Sequence, residues 1–236
     1  MFMRHQPSDA RERPSMASRI LRALAWRTFW RTEIRVFCAT DRPQRTPPPP
    51  GFSLVHWRED RDGLAEEAMR AADEPPGLSA ERFRNADEFF GWEKDGQIVS
   101  WGWVTFRDRK IGQSIVPAQL GWAFLYNFHT HPEYRGQGLY PQLLTAIIRC
   151  LTKSGYCVLI IDVNSRNKPS LHGIEKAGFI HVGSTSWVTV LRRWMCSHSL
   201  LRLDRVPPIV VGSTLSGGEH VGTSQEPGAD RPGHRE

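Results

Sequence analysis

The sequence predicts an α/β fold: a mixed β-sheet with a central βαβ unit and flanking helices. Three observations carry this. Leu120 to about Thr130 is a strand dense in aromatic residues. Tyr140, Leu143, Leu144, Ile147, Ile148 and Leu151 then share one face at helical spacing, and Gly155 supplies a stop. Finally, Cys157 to Ile161 is a near-continuous apolar run, as expected of a strand covered on both faces. Two strands of one sheet joined through a helix in this way are parallel.

Between the first strand and the helix lies Arg135-Gly136-Gln137-Gly138-Leu139-Tyr140, with Pro141 following. A helix start leaves several backbone N–H groups without intrahelical partners, and the dipole adds partial positive charge there. Glycines at 136 and 138 remove side chains that would block close approach. Such a row of donors beside an arginine suits a phosphate or pyrophosphate. Pro141 costs little where donors are in excess. On the hexapeptide alone a second reading stays open, a tight turn that needs its glycines only for backbone angles.

About thirty residues on, Asn167-Lys168-Pro169-Ser170 precedes Ile174-Glu175-Lys176-Ala177-Gly178-Phe179. The two segments together resemble the GNAT superfamily, the acyl-CoA-dependent N-acyltransferases. Thr130, Pro132, Arg135, Gly136 and Gly138 stand at positions of that family's V-x-P-x-x-R-G-x-G-x-[GA] motif, and Tyr140 departs from it where Gly or Ala is usual. Asn167, Ser170, Glu175, Lys176, Gly178 and Phe179 match its second motif, N-x-x-S followed by E-K-x-G-F. The resemblance covers roughly residues 51–193.

The resemblance implies acetyl-CoA as co-substrate, a primary amine as acceptor, direct attack of the amine on the thioester, and no metal. Backbone N–H groups from Arg135 through Gly136, Gln137, Gly138 and Leu139 to Tyr140 would hold the pyrophosphate. The strand backbone at Phe128, His129 and Thr130 would pair with the pantetheine arm. Asn167 and Ser170 match positions near the pantetheine or the adenosine phosphates, and Asn167 also suits a helix cap. The family's usual tyrosine acid falls at Ile174, and no carboxylate occurs between Asp108 and Glu133, where a glutamate is common. Tyr126 and His129 are the substitute candidates for proton transfer. Strand alternation puts Tyr126 on one face with Phe128 and Thr130, and His129 on the other. Tyr140 is expected to pack inward, and His172 to point to another face of its helix than Ile174. Two further readings remain beside the acetyltransferase: a non-catalytic CoA-binding or regulatory module, and an acyltransferase for a membrane-associated amino-sugar or polymer.

The 236 residues are enough for one domain with a sizeable core plus extensions. The net charge of +6 sits at one end: residues 1–50 hold ten arginines against four acids, and the remainder is balanced. The four cysteines, at 38, 150, 157 and 196, suggest neither a zinc site nor a disulfide framework, and a reducing compartment fits. With no signal peptide and no long apolar run, the default expectation is a cytoplasmic protein, with attachment at the membrane periphery open.

Along the chain, residues 1–17 read as a disordered start and 18–46 as a basic amphipathic arm. Ser18 caps a helix to about Arg31, whose arginines and tryptophans at 18–35 suit an anionic membrane surface, a protein partner, or packing on the main domain. Nucleic acid is disfavoured for want of a second basic patch. Glu33–Ala39 reads as a strand at a sheet edge and 47–50 as a Pro-rich linker. Within the 51–195 domain, Phe52–Trp57 is a strand, Asp60–Ala72 a helix, and Ser79 caps a second helix through Phe83. Phe89–Glu93 and Gln97–Phe106 form a hairpin, followed by a polar loop over 107–114. Phe179–Val182 and Trp187–Leu191 read as a closing hairpin, and 196–236 as a largely disordered tail.

Overall fold

The structure is a computed structural model that describes residues 29–39, 47–112, 114–190 and 194–201. Its strands are β1 (Phe29–Ala39), β2 (Ser53–Trp57), β3 (Glu88–Lys94), β4 (Gln97–Thr105), β5 (Arg109–Ile111), β6 (Ser114–Val116), β7 (Trp122–Thr130), β8 (Val158–Asn164), β9 (Phe179–Val190) and β10 (Trp194–Leu201). The helices are α1 (Leu64–Arg70), α2 (Leu78–Arg84), α3 (Leu139–Lys153) and α4 (Lys168–Lys176). Eight strands form one sheet in the order β10-β9-β1-β8-β7-β4-β3-β2, and β5 and β6 pair separately. β7 and β8 are parallel, joined by α3, as the βαβ reading requires; the other pairs are antiparallel.

The faces of the sheet carry different layers. On one, Leu143, Leu144, Ile147, Ile148 and Leu151 of α3 and Leu171 and Ile174 of α4 pack on Phe90, Leu125, Leu159 and Ile161. Burying each such α3 side chain contributes about 1.5–3 kcal/mol, so the stripe anchors the helix whose start forms the candidate site. On the other face, Ala65, Ala68 and Met69 of α1 cover Phe89, Trp101 and Trp103. The β5–β6 hairpin covers Phe124, Val158 and Ile160 through Ile111 and Val116.

Several expectations are corrected. The strand expected from Glu33 to Ala39 at a sheet edge is longer and interior. β1 runs from Phe29 and lies between β8 and β9, with Val36 opposite Asp162. Val36, Phe37, Cys38 and Ala39 are buried, which a strand covered on both sides demands and an edge does not. The sheet therefore takes in part of the segment assigned to a separate arm, and Phe29 to Arg31 are strand rather than the end of a helix. The rest of that helix, 18–28, lies outside the described residues, as do 1–17 and 202–236.

α1 starts at Leu64, not near Asp60, because Asp60 serves as its cap from outside: its carboxylate accepts the N–H groups of Ala65 and Glu66. Ser79 lies inside α2 and donates its hydroxyl hydrogen bond to Glu66, while Gly77 occupies the cap position. The loop over 107–114 contains β5. The expected closing hairpin is one long strand, β9, which pairs with β10; β10 continues to Leu201, past the expected start of the tail.

Candidate active site

β7 and β8 pair only from Trp122–Val158 to Leu125–Ile161. Beyond Leu125, β7 keeps β4 as its neighbour and β8 keeps β1, so the two parallel strands part. At that point β7 carries one extra residue. Trp103 faces Tyr126 while Trp101 faces His129, and Asn127 sits at φ +50°. This is a β-bulge, and Asn tolerates the left-handed conformation better than most residues. Its amide donates to Glu74 at 3.0 Å, which holds it there.

The bulge reverses the alternation that the sequence suggested. Tyr126 packs with Trp101 and Trp103 on the α1 face, whereas Phe128 packs with the α3 cluster. Tyr126 and Phe128 therefore do not share a face, because the extra residue shifts the two-residue period by one. Phe128 lies across Gly102 of β4, where a Cβ would come within 2.2 Å of its ring.

Past β7, the turn Pro132–Tyr134 leads into the two glycines. Gly136 and Gly138 have φ of +79° and +74°, so both readings of the turn meet here: the backbone needs glycine, the space at Gly136 is open, and at Gly138 only the Gln142 side-chain amide lies within 3.5 Å of where a Cβ would stand. Gly138 is the cap of α3 and no side chain satisfies the first N–H groups of the helix. Arg135 donates to the carbonyl of Thr130 at 3.0 Å, which ties the turn to the end of β7. Thr130 and Ser100 share a hydroxyl hydrogen bond at 2.9 Å.

These elements surround a cavity of about 680 Å³. The strand residues Phe128, His129 and Thr130 line it, as do Arg135, Gly136, Gly138, Leu139 and Tyr140 of the turn and Asn167 and Ser170 of α4. Gln137 instead lines an adjoining cavity of about 620 Å³, whose far wall is Pro47–Pro50. The proline run is thus a wall beside the glycine turn, not a bare linker. Asn167 caps α4, its side chain accepting from the Ser170 N–H at 3.2 Å.

The Tyr140 ring packs inward, as expected. It lies 5.4 Å from the Phe128 ring and directly over Gly173 of α4. Burial pushes its pKa up, against the opposing influence of the Ser170 side chain. Ile174 is fully buried in the core and offers the cavity nothing. His172 does point away from Ile174, and in doing so lines the cavity with Gly173, a position the sequence did not single out, and with Lys176, expected only as a motif match. A glycine inside a helix pattern was the available signal for close packing there.

The two proton-transfer candidates fare differently. His129 lines the cavity and stacks on Trp101 at 5.7 Å. Burial first, then the charges of Arg135 and His131, hold its pKa below the ordinary histidine value. Tyr126 is not in the cavity wall. Its hydroxyl donates to Asp87 at 2.6 Å, and Arg82 and Arg109 lie over its ring at 5.1 and 4.3 Å. Burial and then the Asp87 hydrogen bond push its pKa up. Around it, Arg82 Nη1, Trp103 Nε1 and Arg109 Nε are buried without a hydrogen-bond partner. Arg109 also pairs with Asp162 at 3.6 Å. These charged groups come from three segments, Arg82 and Asp87 at the end of α2, Arg109 in β5 and Asp162 in β8, so no single local pattern in the sequence announces them.

The sequence model of the acetyltransferase (GNAT) family matches residues 52–179, more than half of the chain. The chain belongs to the GNAT family. The L-amino acid N-acyltransferase MnaT of Escherichia coli K12 is 30% identical over 90 residues, 37% of this chain and 52% of that protein. The chain therefore spans about half the length of this curated relative. Among solved structures, a GNAT acetyltransferase from Novosphingobium aromaticivorans is 21% identical with a TM-score of 0.47, covering 68% of this chain and 64% of that one. One from Colwellia psychrerythraea is 17% identical with a TM-score of 0.48, covering 73% and 61%. The aminoglycoside N-acetyltransferase AAC(6')-Iy, solved with CoA, is 18% identical with a TM-score of 0.43, covering 54% and 91%. In this GNAT domain, no group of three or more His, Cys, Asp or Glu among the described residues is arranged to hold a metal, and no described helix is long and apolar enough to cross a membrane.

Proposed function

We propose that the domain transfers an acetyl group from acetyl-CoA to a primary amine by direct attack of the amine on the thioester. The observation that carries this reading is one cavity that joins the Gly136–Gly138 turn to Phe128, His129 and Thr130, the part of β7 beyond its pairing with β8. Uncapped N–H groups at the start of α3, from Gly136 to Tyr140, take the pyrophosphate, with Gln137 at the neighbouring cavity. The backbone of Phe128, His129 and Thr130 runs beside the pantetheine arm, and Asn167 and Ser170 face it from α4.

The amine must lose a proton and the developing oxyanion must be stabilised. His129 takes the proton in this reading; its support is that it lines the cavity and that a lowered pKa keeps its imidazole neutral near pH 7. A backbone N–H at the Asn127 bulge or at Phe128 serves the oxyanion. Tyr126 acts as a positioning residue, holding Asp87 and the two arginines beside the bulge. The acceptor enters through the open part of the cavity beside His129 and His172. The name of the Escherichia coli relative makes amino acids the first acceptors to try.

One observation favours the non-catalytic reading: among the residues lining the cavity there is no carboxylate, and the usual tyrosine position is the buried Ile174. Release of free thiol from acetyl-CoA, with amino acids and simple amines as acceptors, decides between them. Turnover supports transfer; tight CoA binding with no thiol release for any acceptor supports the binding module. A surface role for residues 18–35 rests on sequence alone, and β1 takes residues 29–35 of it into the sheet. The polymer-acceptor reading loses that much of its support.

A further inference from the structure

We propose that Cys150 is a nucleophilic thiol, served by His56 as base and Glu88 as its orienting carboxylate, and that it exchanges with small disulfides. The three side chains come from α3, β2 and β3 and meet where the edge strand β2 passes the far end of α3. The Cys150 Sγ lies 3.8 Å from His56 Nδ1, and His56 Nε2 lies 2.7 Å from Glu88 Oε2. None of the three lines the cavity described above.

The tautomer follows from the partners. An ionised carboxylate only accepts, so His56 Nε2 carries a proton toward Glu88. Glu88 stays ionised: burial raises its pKa, but the hydrogen bonds from His56 and Arg58 outweigh this and hold it below the ordinary value. Arg58 reaches the other carboxylate oxygen at 2.7 Å. Nδ1 then faces the sulfur as the free base, or as a donor once it holds the thiol proton. The His56 ring is fixed by stacking on Phe90 at 4.1 Å, nearly parallel at 10°. A nucleophile, a base within reach and a third group that orients the base make up the arrangement of an activated thiol. The His56 pKa is raised to about 9, first by the Cys150 hydrogen bond and then by Glu88, so the imidazole is a strong enough base to hold the proton at neutral pH. Tyr156 is the further titratable group whose charge couples to Glu88 and Arg58.

In the exchange, the thiol proton passes to His56 Nδ1 and the Cys150 sulfur attacks one sulfur of a small disulfide. A new S–S bond forms to Cys150, the old one breaks, and the departing thiolate takes up a proton from His56. The disulfide is the oxidant, and its second half leaves as a free thiol. Cys150 is only half-buried and the His56 side chain is 29% exposed, so a small reagent has an approach.

The molecule holds its own controls. Cys157 is similarly half-buried, but its sulfur donates to the Gly121 carbonyl at 3.6 Å, which is no base. Cys38 is fully buried, and burial pushes its thiol up to about 12. The test is to treat the full chain at pH 7 with oxidised glutathione, quench at intervals, and map the mixed disulfides by peptide mass. The expected result is modification of Cys150 about tenfold or more faster than Cys157, with Cys38 protected. In His56→Gln, which retains a donor for Glu88 but no base, Cys150 should slow to the Cys157 rate. Equal rates in the parent protein overturn the proposal, as does a fast Cys150 in a folded His56→Gln. The parent comparison decides the first point even where the variant exposes Cys38 and so shows itself unfolded.

Discussion

The Tyr140 ring occupies the space that a side chain at Gly173 would need: a Cβ there would stand 2.4 Å from Tyr140 Cδ1. A tyrosine stands where the family motif has a small residue, and the facing helix has given up its own side chain to seat it. The pair links the start of α3 to the middle of α4 across the wall of the cavity.

This contact should reverse the sign of one substitution. In the parent, Gly173→Ala overpacks the junction and is expected to cost about 1–3 kcal/mol. With Tyr140→Ala already in place, the same change only improves helix propensity and should stabilise by about 0.5–1 kcal/mol. Urea melts of the four proteins give the coupling directly. The ring lies over Gly173, away from the glycine turn. Tyr140→Gly should therefore leave acetyl-CoA affinity within about threefold, a change worth well under 1.4 kcal/mol.

Gly102→Ala strikes the other wall. Its Cβ would fall 2.2 Å from the Phe128 ring, so the ring must leave the position in which it lines the cavity. We expect a stability loss of about 1–3 kcal/mol and weakening of acetyl-CoA binding by about tenfold or more, read by calorimetry. A variant that binds as well as the parent would place the ligand elsewhere.

These two contacts show where the sequence was legible. The parallel pair β7 and β8, the stripe of α3 and the glycine turn all follow from short-range pattern, and each appears within a few residues of its expected place. The face of Tyr126 did not, because one residue in the left-handed region at Asn127 undoes a two-residue period for the rest of the strand. β1 was legible as a strand but not in its place. Local pattern cannot say which neighbours a strand finds, and the four buried residues at its end were the only hint of an interior position. Arg82 and Asp87 from the end of α2 and Arg109 from β5 converge on Tyr126, and Asp162 of β8 pairs with Arg109, so their meeting follows from the tertiary arrangement and not from local pattern.

His129 supplies a pH-dependent expectation. Burial, Arg135 and His131 hold its pKa below 6.5. As a base it works when neutral, so kcat/KM should be flat through pH 7 and fall only on an acid limb below 6.5. His129→Gln should lower kcat by about a hundredfold and abolish that limb, as loss of a general base commonly does. A limb that survives in His129→Gln would move the role to another group.

His56 titrates in the opposite sense. Its pKa is raised to about 9 in the folded protein, so its contribution to stability is whole below the unfolded value near 6.5 and drains away as pH climbs through 9. Urea midpoints of the parent and of His56→Gln should therefore differ most near pH 6 and converge toward pH 9.5. A gap that stays constant across this range would mean that His56 holds the fold through packing on Phe90 alone.

The central claim is that the glycine turn and the parted strands hold acetyl-CoA. The most direct measurement is calorimetric titration of acetyl-CoA into the purified protein and into Gly138→Trp, with circular dichroism to establish that the variant is folded. Gly138 has φ +74° and lies at the proposed pyrophosphate contact, so a large side chain there is expected to block the approach. The account predicts one-to-one binding by the parent and none by the folded variant. No binding by the parent, or equal binding by both, would contradict it.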